Sequence, residues 1–259
     1  MQYRRLGRTN FMAAEVGIGL AGLATLAPDD ATEVLRAAIA AGTNIIEVDT
    51  RVETELAAVA SILRGLRTQL IVVGVGNGDR AATEAALAAM GLDHFDCYLV
   101  DASTSIGDVQ ALALAGLTRT AGFAADDPAE ALAAVLEGGV DVVQVALSAL
   151  ELRAPSGVDA VLTAAQHADV GVLVCSPLAG GRLAEDATHL EALHFLLDGP
   201  ARSVAQAAIA WALSEPRVSA VIAGPRSVEQ AREDAEASRV APLPADILER
   251  VAGVFTQRS

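Results

Sequence analysis

Aromatic residues make up only 3% of this 259-residue chain. Phenol and indole chemistry is therefore confined to Tyr3, Tyr98 and Trp211. Cysteine is equally sparse: Cys97 and Cys175 each lie inside an apolar, strand-like run with no metal-ligand spacing around them. That pattern excludes a disulfide framework or a thiolate metal site and implies reduced thiols in a cytoplasmic protein that needs no metal. No apolar run approaches the roughly 20 residues of a membrane span, and the opening MQYRRLGRTN lacks a signal-peptide core. Basic charge is also short, 18 Lys plus Arg against 33 Asp plus Glu, for a formal charge of −15. A surface of that sign argues against nucleic acid or an anionic membrane as partner and leaves a small molecule as the expected ligand. Linkers and low-complexity stretches are missing, so a single domain over 1–259 is expected. With no exposed apolar stripe in the pattern, a monomer is the default.

What the chain does have is a 53% hydrophobic content built from Ala, Val, Leu and Ile, the composition of parallel strands buried on both faces. Residues 2–16 read as two short extended pieces around Arg8-Thr9-Asn10, a β-hairpin. Eight strand-like runs follow, at 16–21, 44–49, 70–76, 95–101, 119–124, 141–148, 171–176 and 218–223. Segments with apolar spacings of three and four separate them, the signature of helices packed on a sheet. The first helix, Asp30 to Ala41, ends at Gly42, where a helix stop belongs. A further helix, 244–257, follows the last unit. Eight alternations with short connections predict an α/β fold, a (β/α)8 TIM barrel with an N-terminal hairpin and an extra C-terminal helix.

Active sites of this architecture sit at the C-terminal ends of the strands, which makes GTNIIEVDTRVETE, Gly42 to Glu55, the central stretch. Glu47 and Asp49 share one face of their strand, Arg51 follows, and Asp101 ends the fourth strand. Three carboxylates in one mouth, pressed together and buried, should lift at least one toward neutral pH, giving acid/base groups for a dehydration, isomerisation or cyclisation. The competing reading is that Arg51 neutralises Asp49 and water solvates the rest. The longest connection, 177–203, carries Arg182, His189 and His194 and a small helix at 188–197; it reads either as a lid or as a plain surface connection. His94 and His167 read as structural, Cys175 as a small core residue, and Trp211 as helix packing.

The chain resembles the aldo-keto reductases. The matching stretches are YRRLGRTNFMAAEVGIGLAG, AIAAGTNIIEVD, MGLDHFDCYLVD, VDVVQVALSALEL, GVLVCSPLAGGRL, VAQAAIAWAL and VIAGPRSVEQARED, in that order. The resemblance implies an NADPH-dependent carbonyl reductase with an Asp, Tyr, Lys and His tetrad. Carried over position by position, the Asp falls on Glu47, the Lys on Gly74 and the His on Asp101, while the Tyr falls in a shortened stretch, Asp49 to Glu53, that has none. Neither Tyr3 nor Tyr98, one residue off the parity of Asp101, replaces it.

At the cofactor site the resemblance assigns Arg226, Ser227, Gln230 and Glu233 to the phosphate end, with Asp234 where the family usually has Asn. Ser176 and Leu178 also match, and Gln144 is kept at the nicotinamide end. The Ser-Asn pair after the fifth strand has become Ala124-Ala125, and the stacking aromatic has become Cys175. These residues imply a barrel turned to non-redox acid/base chemistry on a small organic molecule, a lyase, isomerase or cyclase. Glu47, Asp49 and Asp101 would move protons and Arg51 would orient an anion. The alternatives are an NADP(H)-binding pseudoenzyme or regulatory protein, and a reductase with an atypical proton donor.

Overall fold

The computed structural model describes residues 1–63, 65–101, 103–148, 157–177, 195 and 201–256, with 251–256 described by their backbone. Strand β1, Tyr3–Arg5, pairs antiparallel with β2, Met12–Ala14, in the register Tyr3 to Ala14. Between them Gly7–Thr9 form a 3-10 turn that ends on Asn10 at φ 63°, a left-handed position that Asn tolerates.

Then come β3 (Val16–Gly19), α1 (Pro28–Ala40), β4 (Ile45–Asp49), α2 (Glu53–Leu63), β5 (Ile71–Gly76), α3 (Arg80–Met90), β6 (Phe95–Asp101) and α4 (Ile106–Leu114). The series continues with β7 (Thr118–Ala125), α5 (Pro128–Glu137), β8 (Val142–Ala146), α6 (Val158–His167), β9 (Gly171–Cys175), α7 (Val204–Leu213), β10 (Ala220–Ala223), α8 (Val228–Val240) and α9 (Ala245–Thr256). The eight parallel strands close in the order β10-β3-β4-β5-β6-β7-β8-β9. All eight occupy the stretches that the sequence marks for them. Gly65, just after α2, stands at φ 81°, a left-handed position that glycine adopts without cost.

Strand parity splits the core in two. Ile45, Val73, Cys97, Leu99, Val142, Leu173 and Ile222 fill the barrel interior, where Leu6 and Ala13 of the hairpin also pack. The hairpin thus stops the N-terminal end of the barrel. A second, larger cluster lies between strands and helices, with Ile46, Val48, Tyr98, Val143 and Val174 on its sheet side. Each such fully buried aliphatic side chain contributes about 1.5–3 kcal/mol, and with one end plugged, the open end is the C-terminal one. The hairpin is fixed to the helix layer by Glu15, which accepts from Arg4 Nε at 2.7 Å and from Ser238 Oγ at 2.7 Å.

Candidate functional site

Strand β4 delivers Glu47 and Asp49 to the open end, and their surroundings differ. Glu47 is half-buried and reaches across the barrel to Gln144 on the far strand β8, whose Nε2 donates to its carboxylate. Room for the carboxylate comes from Gly19 on the neighbouring strand: a Cβ there would stand 3.7 Å from Glu47 Oε1. Burial of its carboxyl pushes Glu47 up to about 7; the Gln144 hydrogen bond opposes this, and the charges of Glu55 and Asp49 add to it. Desolvation is thus the main cause of its neutral-range titration, and crowding by other carboxylates is secondary.

Asp49 and Asp101 belong to a separate cluster on the rim. Arg51 grips Asp49 with two parallel bonds, Nε to Oδ1 at 2.9 Å and Nη2 to Oδ2 at 2.8 Å, and its backbone N–H adds a third at 2.9 Å. Its Nη1 reaches Asp101 Oδ2 at 3.5 Å. Burial would raise Asp49, but these bonds and the positive charge overcome it and hold the carboxyl below the ordinary range. At Asp101 the Ser103 hydroxyl leads, with the Ser103 N–H, Arg51 and Thr104 helping against modest burial, and this carboxyl is also held low. The expected trio of acid/base carboxylates therefore separates into one titrating group, Glu47, and two fixed anions. Arg51, engaged by both anions, is not a free cation waiting for a substrate anion.

Other sequence assignments need correcting or locating. Gly74 does not face the mouth. The interior residues of β5 are Ile71, Val73 and Val75, and a Cβ at Gly74 would press on Phe95 and Tyr98 at 2.9 Å in the helix layer. Val73, paired in register with Glu47, and Val75, paired with Asp49, take the places beside the β4 carboxylates. Tyr98 is fully buried, as its parity requires, with its hydroxyl 3.1 Å from Thr50 Oγ1. Cys175 ends β9; burial, then the nearby Glu47 charge, pushes its thiol up to about 12, which leaves it inert as a nucleophile. Trp211 packs against the core. Leu178, Arg182, His189, His194 and most of the 177–203 connection lie outside the described residues. A surface groove of about 450 Å³ between Asn77–Arg80 and Asp108–Leu112 contains none of the groups above.

Two features escape a motif-based reading. Glu55 is 4% exposed, and its Oε2 accepts from the Asp49 backbone N–H at 2.7 Å, which locks the strand end that carries both candidate carboxylates. Its position on the apolar stripe of α2, with Val59 and Ile62, is the legible sign. The chain also contains no lysine: all 18 of its basic side chains are arginine.

Around the start of α8, Ser227 caps the helix by accepting from Gln230 N at 3.1 Å, and Gln230 Oε1 accepts from Arg226 N at 2.7 Å. The Arg226 side chain is exposed and has no partner among the described residues. Asp234 is 9% exposed and also unpaired among the described residues; burial, then the Glu233 charge, lifts it to about 7. Ser176, at the end of β9, holds a left-handed φ of 55°. Arg226, the cap hydroxyl and the helix amides fit an anionic phosphate, and the small residues Gly19, Ala124 and Cys175 leave space at the mouth. The arrangement is compatible with a dinucleotide.

A closed parallel barrel with a hairpin across one end and a buried carboxyl at the other defines the (β/α)8 class. The sequence places it more closely: the model of the aldo/keto reductase family matches residues 77–254, and the chain belongs to that family. No curated protein matches it. Among solved structures it is similar to the holo form of the aldo-keto reductase AKR11C1 from Bacillus halodurans, with 18% identity, a TM-score of 0.83 and coverage of 98% of this chain and 96% of that one. An aldo/keto reductase from Klebsiella pneumoniae in complex with NADP and acetate gives 19% identity, a TM-score of 0.83, and 98% and 96% coverage. A Klebsiella pneumoniae aldo-keto reductase in complex with NADPH gives 21%, 0.81, and 98% and 95%. No metal-binding cluster is present among the described residues, nor a helix long and apolar enough to cross a membrane.

Proposed function

We propose that this protein catalyses proton transfer on a small carbonyl compound, with Glu47 as the one group that both takes and returns the proton. The observation that carries the reading is the Glu47–Gln144 pair in the barrel mouth, with Glu47 lifted to about 7. A general acid/base works best when it titrates near the operating pH. The ionised carboxylate would remove a proton from the carbon next to the carbonyl, and the resulting carboxylic acid would return it at a second atom, giving an isomerisation. Gln144 holds the carboxyl in place, and Glu55 fixes the strand end beneath Asp49. The fixed anions Asp49 and Asp101 favour a neutral or cationic substrate over an anionic one.

A second reading is an NADPH-dependent reduction in which protonated Glu47 supplies the proton. It is favoured by the free Arg226 at a capped helix start, in a family whose compared members include NADP- and NADPH-bound forms. When bound, the cofactor would supply the hydride; Arg226, Ser227 and the first amides of α8 would hold its phosphate end. Against it stand the absence of any lysine from the chain and the engagement of Gln144 by Glu47.

One experiment separates the readings. The protein is incubated with a panel of aldehydes and ketones in D2O, with and without NADPH, while NMR follows deuterium at carbon and absorbance follows NADPH oxidation. Deuterium incorporation lost in Glu47→Gln supports proton transfer. Oxidation of NADPH with no exchange favours the reductase. NADPH binding without either signal would make the protein a cofactor-binding pseudoenzyme and defeat the proposal.

A further inference from the structure

We propose that Asn77 is a self-modifying site: the backbone nitrogen of Gly78 displaces the Asn77 side-chain amide and leaves an aspartyl or isoaspartyl residue after β5. Its chemistry is independent of whatever reaction the barrel mouth catalyses. The chain has three asparagines, Asn10, Asn44 and Asn77, and Asn77 alone precedes glycine. Glycine has no side chain to shield its nitrogen. The fold requires it at this position: Gly78 stands at φ 72°, and a Cβ there would lie 3.1 Å from Thr104 Cγ2 and 3.2 Å from Val100 Cγ1. The reactive pair is thus built into the connection from β5 to α3.

Local geometry sets up the attack. Asn77 Oδ1 accepts from the Asp79 backbone N–H at 3.2 Å, an Asx turn. That bond folds the side chain forward over the next peptide and brings Cγ to the Gly78 nitrogen, and holding reactants in such an arrangement removes much of the orientational cost of a reaction. The same N–H polarises the amide carbonyl toward attack. The Gly78 N–H has no acceptor among the described residues, so no hydrogen bond has to break before it reacts. Asn77 is exposed, and both residues line the groove of about 450 Å³ between α3 and α4, which admits water and lets ammonia leave. The other two asparagines lack these features. Asn44 is held at both ends of its amide, accepting from Ala14 N at 2.7 Å and donating to Met12 O at 2.8 Å. Asn10 precedes Phe11, whose N–H is donated to Thr9 Oγ1 at 3.2 Å.

The steps balance with water alone. Gly78 N gives up its proton and bonds to Asn77 Cγ, the Cγ–Nδ2 bond breaks, and Nδ2 leaves with a proton as ammonia, closing a succinimide ring. Water then opens the ring. Cleavage of the new N–Cγ bond gives aspartate, and cleavage of the original peptide bond gives isoaspartate, whose backbone runs through the former side chain. Either product adds a negative charge beside Asp79 and Asp108 on the groove. Isoaspartate also displaces the Asn77 backbone oxygen, which accepts from Thr104 Oγ1 at 3.2 Å. Thr104 closes the turn after β6 through its N–H to Asp101 O at 2.9 Å, so the modification reaches the anionic rim of the mouth.

The test is prolonged incubation of the whole protein in mildly alkaline buffer, followed by tryptic mapping with mass spectrometry. Asn77→Ser and the wild type unfolded in guanidinium chloride are the references. Without lysine the chain is cut only after arginine, so Asn77 is read in the peptide Thr68–Arg80. Serine keeps an acceptor for the Asp79 N–H and has no amide to lose. In the folded wild type this peptide should gain the mass of NH2 exchanged for OH, with isoaspartate exceeding aspartate. The gain should be at least about tenfold faster than in the peptides that hold Asn10 and Asn44, a barrier difference of about 1.4 kcal/mol or more, and no slower than in the unfolded chain. The variant should form no isoaspartate in this peptide. Slower loss from the folded protein than from the unfolded chain would mean that the turn protects the amide, and aspartate without isoaspartate would mean direct hydrolysis by water. Either result, or equal loss at all three asparagines, would overturn the proposal.

Discussion

Two carboxyls reach the same titration range in two regions of the molecule. Glu47 in the barrel mouth and Asp234 in the helix layer are each lifted to about 7, and burial is the first cause at both. Glu47 has Gln144 as a donor; Asp234 has no partner among the described residues. The rim pair Asp49 and Asp101 goes the other way, since Arg51 and Ser103 supply donors. Placement in a crowded acidic mouth thus does not decide which carboxyl is reactive. The balance of donors against burial decides it: where donors outweigh burial, at Asp49 and Asp101, the carboxyl is a fixed anion, and where burial outweighs them, at Glu47 and Asp234, it keeps a proton to exchange.

The strongest way to break this comparison is to remove the proton from Glu47. Glu47→Gln preserves volume and a hydrogen bond to Gln144, so the protein should fold, yet activity should fall about 10²–10⁴-fold, the usual range for a lost acid/base group. The pH profile should turn near 7 in the wild type and be flat in the residual activity of the variant. Asp101→Asn should change the rate far less, because Asp101 does not exchange its proton in this range. Equal losses in the two variants would restore the three-carboxylate scheme.

The second comparison is of stability. For Asp234 the folded-state pKa of about 7 lies above the ordinary 3.8, so the folded protein holds a proton that the unfolded chain releases. Below about pH 4 both states are protonated and there is no penalty. As pH rises from about 4 to 7 stability falls, and above 7 the loss is constant, at most about 4 kcal/mol. Asp234→Asn removes that loss and should be more stable than the wild type at pH 8 and close to it at pH 4, by urea unfolding at both pH values. An equal difference at both would mean that Asp234 does not titrate between them.

The barrel was legible because its physics is local. Apolar runs bounded by glycines and helical spacings read directly as eight units, and Gly42, at φ 104°, follows the first helix where a stop was expected. Which residue faces inward was harder to read. Aligning Gly74 with a functional position follows the order of residues along the chain, but strand parity points it into the helix layer and gives the mouth to Val73 and Val75. The roles of the acidic residues were legible as types and not as states. A carboxyl's titration depends on which partners the fold brings to it, several of them far away in sequence: Gln144 is 97 residues from Glu47 and Arg51 is 50 from Asp101, while Ser103 stands only two residues from Asp101. Absence of lysine, by contrast, is visible on inspection and bears directly on whether a lysine-assisted proton donor can exist.

A smaller effect is expected at Tyr98. Its hydroxyl touches Thr50 Oγ1 at 3.1 Å and fills the space left by Gly76, where a Cβ would collide with it. Tyr98→Phe should cost about 1 kcal/mol, the net value of one hydrogen bond, and leave the rate unchanged, since the ring faces the helix layer. A large rate loss with intact stability would instead put this phenol on the proton path.

The smallest stability effect is expected at the rim, where the geometry looks strongest. Arg51 makes a bidentate pair with Asp49, yet its side chain is 52% exposed and that of Asp49 30%, so water screens much of the attraction. Arg51→Met should destabilise the fold by no more than about 1 kcal/mol. It would, however, release Asp49 from the guanidinium; burial is then opposed only by the backbone N–H of residue 51, and the Asp49 carboxyl should rise from its depressed value. The stability that the pair does contribute is present above that ordinary range and is lost as pH falls through the depressed folded value, so wild type and variant should converge in acid. Carbon-13 titration of the Asp49 carboxyl in both proteins measures this directly. An unchanged Asp49 would mean that Glu55, through the Asp49 N–H, and not Arg51, governs the strand end, and the contrast between fixed and titrating carboxyls would then need a different cause.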